Sequence, residues 1–136
     1  MIKKIDHIAI AVKNLQEEIA RYRDVLGLEF LGTEVVPEQK VTVAFFKVND
    51  VFIELLEPLS ADSPISAFIE KKGGGLHHLA LEVDDIRAEI SRLQEKNVQM
   101  LDREPRIGAH EARIAFVHPK SFSGVLYELQ QKGDAS

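Results

Sequence analysis

Two histidines and two glutamates carry the chemistry that this chain can do: His7, Glu54, His78 and Glu128. The histidines stand 71 residues apart and the glutamates 74 apart, so each half of the 136-residue chain supplies one of each kind. Neutral imidazole nitrogens and carboxylate oxygens are ligands for a divalent ion such as Co, Ni, Zn or Mn, and four of them leave positions open for water or substrate. Taken alone, either histidine reads as a hydrogen-bonded structural residue, and either glutamate as an edge-strand acid facing water. Their recurrence in register favours a site. Both glutamates also interrupt apolar runs, Val51-Phe52-Ile53-Glu54-Leu55-Leu56 and Val125-Leu126-Tyr127-Glu128-Leu129, where an unpaired carboxylate would be costly to bury.

The elements that must position these four residues are themselves duplicated. Ile5-Asp6-His7-Ile8-Ala9-Ile10-Ala11-Val12 returns as Leu76-His77-His78-Leu79-Ala80-Leu81-Glu82-Val83. Leu15, Ile19, Ala20 and Arg21 fall opposite Ile86, Ile90, Ser91 and Arg92, and Ala44-Phe45 opposite Ala115-Phe116, before the second copy takes three extra residues. Two copies of this length are a duplicated module and not a solenoid.

Strict alternation makes residues 4–12 a strand, with Ile5, His7, Ala9 and Ala11 on one face and Asp6, Ile8, Ile10 and Val12 on the other. The large apolar face suits helices, and the small one suits a cavity wall. By the same alternation His78, and not His77, belongs to the cavity face.

Asn14 can cap a helix carrying Glu17 and Glu18 in its first turn and Leu15, Ile19, Tyr22 and Leu26 as its stripe, ended by Gly27. Strands follow near 28–34, 41–48 and 51–57. A short helix runs from Pro64 through Lys71, and Gly73-Gly74-Gly75 marks the module boundary. The second copy predicts a strand at 76–83, a helix at 85–96 and strands near 98–102, 111–117 and 124–130.

The fold class is therefore α+β: a single domain, 1–136, of two tandem βαβββ modules, the first about 4–58 and the second about 76–130. Their eight strands are expected to form one curved sheet around a central metal cavity. Glu17, Glu18, Glu57, Glu89 and Glu95 are expected in solvent, His77 in a core or supporting role, and His110 and His118 in loops.

Composition narrows the classes. With 45% hydrophobic residues and a net charge of -5 the chain is an ordinary globular domain without a basic stripe, so nucleic acid is excluded as a partner. Cysteine is absent, which removes disulfides, thiolate nucleophiles and sulfur-ligated zinc. No apolar run approaches membrane-span length, and a soluble cytoplasmic protein is expected.

The duplicated pattern with His7, Glu54, His78 and Glu128 resembles the vicinal oxygen chelate superfamily, and within it the methylmalonyl-CoA epimerases. The likeness covers nearly the whole chain. It is carried by Ile5-Asp6-His7-Ile8-Ala9, Pro37-Glu38-Gln39, Glu54-Leu55-Leu56-Glu57-Pro58, Gly75-Leu76-His77-His78-Leu79-Ala80, Val83-Asp84-Asp85-Ile86 and Phe116-Val117-His118-Pro119-Lys120-Ser121.

The resemblance implies an isomerase that epimerises an acyl-CoA at C2 through an enolate stabilised by a divalent ion, cobalt ahead of nickel, zinc or manganese. It implies His7, Glu54, His78 and Glu128 as metal ligands, Glu128 as one catalytic base, and a homodimer. Some family members place a glutamate at the position of Val43, and its absence here leaves Glu54, the counterpart of Glu128, as the second base. Gln39, Arg113, Lys120 and Ser121 are candidate substrate contacts. Glyoxalase I (lactoylglutathione lyase), which uses the same metal and enolate logic, is the alternative enzyme. A metal-free small-molecule-binding protein of the same fold is the non-catalytic alternative.

Overall fold

The computed structural model describes residues 1–133; residues 134–136 of the expected domain lie outside it. Its strands are β1 (Ile2–Ala11), β2 (Glu29–Val36), β3 (Val41–Val48), β4 (Val51–Pro58), β5 (Gly75–Val83), β6 (Arg106–Ile107), β7 (Arg113–Val117) and β8 (Tyr127–Gln131). Its helices are α1 (Leu15–Ala20), α2 (Pro64–Lys72) and α3 (Ile86–Glu95). The α+β class and all the expected strands but one follow the sequence pattern.

Residue contacts separate two compact units, His7–His77 and Met1–Asp6 with the chain from His78 onward. The boundary differs from that of the two modules, because β1 contributes its first half to the second unit.

In the His7–His77 unit the strand order is β2-β3-β4-β1, with β1 and β4 parallel and the other neighbours antiparallel. Ile10 of β1 and Val12 just after it, Ala44 and Phe46 of β3 and Ile53 and Leu55 of β4 pack with Leu15 and Ile19 of α1, so the large apolar residues do face the helix. Asn14 caps α1 through Glu17 N at 3.1 Å.

The helix continues past Ala20 as a π-helical turn over Arg21–Val25, in which Leu26 N donates to Arg21 O at 3.0 Å before Gly27 turns the chain at φ +77°. Ser63 caps α2 through Ile65 N, and Gly73 ends it in the left-handed conformation. Gly74 is constrained further: at φ +106° a Cβ would stand 3.0 Å from the Ala11 carbonyl oxygen.

In the second unit the first half of β1 leads the order β1-β5-β8-β7-β6. Val83, Ala115, Val117, Leu129 and Tyr127 pack with Ile86, Ile90 and Leu93 of α3, the counterpart of the α1 cluster. The expected strand at 98–102 is a correction. Met100 makes only an isolated bridge to Val117, and the short strand that pairs with β7 is Arg106–Ile107. Alternation of Val98 and Met100 reads as a strand, but their role is to fill the α3 cluster, and strand structure requires hydrogen-bonding neighbours.

Two acids expected in solvent are not there. Glu57 accepts a hydrogen bond from Leu15 N at 2.8 Å, holding the start of α1 to the end of β4. Gln131 does the same for α3, accepting from Ile86 N at 2.9 Å. Glu89 is buried on α3, where Arg92 Nε donates to it at 3.0 Å.

Because Gln131 performs in one unit the task of Glu57 in the other, Glu57→Ala should cost about 1 kcal/mol, the usual value of a helix cap. Glu57→Gln should lose less than half as much, as read by chemical denaturation. Hydrogen bonding to Arg92, and then to the Met1 ammonium, holds the Glu89 carboxyl below the usual range against the opposing effect of burial. Ionised Glu89 therefore stabilises the fold above the ordinary glutamate pKa, and that contribution disappears as pH falls through its lower folded value. Below about pH 4, Glu89→Gln should flatten the fall of stability with acid in a pH series of thermal melts.

Candidate metal and acid-base site

Opposite the helices, each unit presents a second sheet face on which one imidazole and one carboxylate lie among apolar neighbours. In the His7–His77 unit, Ala9 of β1 pairs with Glu54 of β4, and Glu54 in turn faces Phe45 of β3. In the other unit, Ala80 of β5 pairs with Glu128 of β8, and Glu128 faces Phe116 of β7. The histidine stands two residues before the alanine in both cases. It thus occupies the diagonal position on the same face, within reach of a long side chain. The methyl group of alanine leaves the space in which imidazole and carboxylate meet.

They do meet within each unit. His7 Nδ1 lies 3.1 Å from Glu54 Oε2, and His78 Nε2 lies 2.8 Å from Glu128 Oε1. All four side chains are buried. At these separations each imidazole is in range to partner a carboxylate that would otherwise be costly in an apolar strand. Imidazole nitrogen and carboxylate oxygen are also the right donors for a divalent ion. The donor chemistry of His7, Glu54, His78 and Glu128 therefore fits a divalent metal.

The surroundings differ in polarity. Val43 is buried on the Glu54 face, opposite Leu56, and it offers no carboxylate. On the Glu128 face, Phe116 packs edge-on to His78 with ring centroids 5.2 Å apart at 89°. Beyond Glu128, Gln130 is buried, and among the described residues nothing donates a hydrogen bond to its Oε1. That acceptor was not evident in the sequence, where Gln130 is one of several polar residues near the C-terminus.

Asp6 was also passed over. It is buried and ion-paired to Lys132 at 3.3 Å, and Lys132 bridges to Glu82 at the same distance. Burial lowers the Lys132 pKa, but Asp6 and Glu82 outweigh it and leave the ammonium raised.

The remaining sequence candidates stand farther from the two pairs in topology. Gln39 is half-buried in the turn between β2 and β3. Arg113 is exposed at the start of β7 and alternates onto the face of Ala115 and Val117, which is the helix side. Lys120 and Ser121 lie in a 3-10 turn, where Lys120 N donates to His118 Nδ1 at 3.0 Å and the Ser121 hydroxyl accepts from Gln99 N at 3.2 Å. His118 thus caps the turn, and His77 packs edge-on to Phe68 at 4.8 Å.

Residues 6–116 match the model of the Glyoxalase/Bleomycin resistance protein/Dioxygenase superfamily. The chain is 45% identical over 133 residues to an ethylmalonyl-CoA/methylmalonyl-CoA epimerase of Cereibacter sphaeroides, covering 96% of this chain and 99% of that protein. It is 43% identical over 129 residues to mitochondrial methylmalonyl-CoA epimerase of Mus musculus, covering 94% and 72%. Among solved structures, a variant of Streptomyces coelicolor methylmalonyl-CoA epimerase in complex with 2-nitronate-propionyl-CoA superposes with a TM-score of 0.94 at 38% identity, covering 98% of this chain and 97% of that one.

Removing one member of a buried ion pair leaves the other without compensation, typically at about 3–5 kcal/mol. His78→Ala should therefore destabilise the metal-free protein by about 3 kcal/mol, and the double variant His78→Ala/Glu128→Gln by clearly less than the sum of the single changes. Denaturant titrations of the four proteins in this cycle supply the measurement.

Proposed function

The chain belongs to the glyoxalase/bleomycin resistance protein/dioxygenase superfamily, and within it we propose that it is a metal-dependent epimerase interconverting the two C2 epimers of methylmalonyl-CoA. The observation that carries this reading is the His–Glu pair repeated in identical register in both units. The acyl-CoA substrate is supported by the named epimerases among its relatives.

We assign His7, Glu54, His78 and Glu128 to one divalent ion, with cobalt first and nickel, zinc or manganese as substitutes. When bound, the ion supplies Lewis-acid stabilisation for the negative charge that develops as the α-proton leaves. The C2 proton, flanked by a thioester and a carboxylate, is weakly acidic. Glu128 takes it: the C–H bond breaks, its electron pair passes into the enolate, and an O–H bond forms on Glu128. Glu54, which would carry a proton only while it is not holding the ion, returns that proton to the opposite face of C2. The two carboxyls exchange roles in the reverse direction, and solvent resets their protonation.

Val43, Leu56 and Phe45 on the Glu54 face, and Ile114 and Phe116 on the Glu128 face, surround both acids with apolar side chains. Such surroundings strengthen each electrostatic interaction of the site. The remaining candidate contacts of this reading are Gln39, Lys120 and Ser121, since Arg113 lies on the helix side, and its expected assembly is a homodimer, to be tested by sedimentation velocity. No helix of the described residues is long and apolar enough to cross a membrane, and the reading places the protein in the cytoplasm.

In D2O, proton NMR should show the C2 proton of methylmalonyl-CoA exchanging with the metal-loaded protein and not with metal-stripped protein. Glu128→Gln and Glu54→Gln should each lower epimerisation by at least about a hundredfold while retaining metal by elemental analysis. Each should still wash deuterium into one epimer only, since one base survives. Near-normal epimerisation by Glu54→Gln would remove it as the second base, and absence of exchange in the loaded wild type would reject the reaction.

A further inference from the structure

We infer that Arg106 is an oxyanion-binding residue of this site, presenting its guanidinium to the free carboxylate or a phosphate of the acyl-CoA; the inference rests on the functional reading above. Three observations within one unit converge on it. Arg106 pairs with Ile114 across β6 and β7, which puts its side chain on the face of Ile114, Phe116 and Glu128, opposite the helices. Its guanidinium carbon stands 5.9 Å from the centroid of the Phe116 ring, the same ring that packs edge-on to His78. Asp102 then fixes its orientation, with Arg106 Nε at 3.0 Å from Oδ1 and Nη2 at 3.4 Å from Oδ2.

Asp102 is itself held, because its Oδ2 accepts from Phe116 N at 2.9 Å. Carboxylate, ring and strand thus hold the guanidinium from one side. Its remaining N–H donors point away from Asp102, and the side chain is 44% exposed. An exposed ion pair adds little to stability, so this arrangement is better understood as orienting a cation for a ligand. Arginine suits the task, because its planar fork binds carboxylate and phosphate with two parallel hydrogen bonds.

Three other cations of the unit are placed differently. Lys3 and Lys132 are engaged with Glu82 and Asp6, and Arg113 is on the helix side. With a net charge of -5, the protein needs a local cation to receive a polyanionic thioester.

The test is calorimetric binding of methylmalonyl-CoA and propionyl-CoA, which lacks the free carboxylate, to cobalt-loaded wild type, Arg106→Gln and Arg106→Lys. Thermal melts and metal content serve as checks on folding. Arg106→Gln should raise the Kd for methylmalonyl-CoA about tenfold, with Arg106→Lys in between, because lysine keeps the charge without the fork. Weakening confined to methylmalonyl-CoA identifies the carboxylate as the anion, and equal weakening of both thioesters identifies the phosphates. Wild-type affinity of folded Arg106→Gln for both thioesters would overturn the inference; should that variant not fold, wild-type affinity of Arg106→Lys would do so. Failure of the wild type itself to bind either thioester would reject the functional reading, and this inference with it.

Discussion

The constraint on which the structure turns is the burial of one carboxylate in the last strand of each module. Glu54 and Glu128 sit among apolar neighbours, where an ionised acid is tolerated only with a partner. The partner in each unit is an imidazole on the adjacent parallel strand, one diagonal step away. That step depends on the pairing of Ala9 with Glu54 and of Ala80 with Glu128. A slip of one residue would send the carboxylate to the helix side. Register, small side chains and the acid are thus one device, used twice.

The helices serve that device from the opposite face. Ile53 and Leu55 flank Glu54 and pack on α1, and Tyr127 and Leu129 flank Glu128 and pack toward α3. The same strands end in Glu57 and Gln131, whose side-chain oxygens receive the first helical N–H groups of α1 and α3. Each acid-bearing strand is therefore held along its apolar face by packing and at its end by a hydrogen bond. Rigidity of this kind keeps each carboxylate within reach of its imidazole, and in the proposed reaction misplacement of a reacting group by even about 1 Å would be expensive.

Much of this was legible in the chain. The repeat located His7, His78, Glu54 and Glu128, alternation separated their face from the helix face, and Asn14 and Gly73 marked helix ends where the structure has them. Other residues were misread for a common reason. Glu57 and Glu89 look like surface acids until the N–H or guanidinium opposite them is known, and those partners are Leu15, 42 residues away, and Arg92 on the next turn of the helix. The alternation around Val98 and Met100 resembles a strand, yet only Met100 reaches a bridge, to Val117. Arg106 carried no sequence signal, since its face depends on two residues pairing with β7.

Sequence alone therefore determined the duplicated modules, the donor chemistry of the two histidines and two glutamates and the face that each occupies along its own strand, because these follow from residue type and the two-residue period of an extended chain. Tertiary structure decided which imidazole meets which carboxylate at 2.8 to 3.1 Å, which acids serve as caps, and which arginine stands over the Phe116 ring. Those outcomes depend on register between segments distant in the chain, and hydrogen-bonded register is a property of the pair of strands and not of either one.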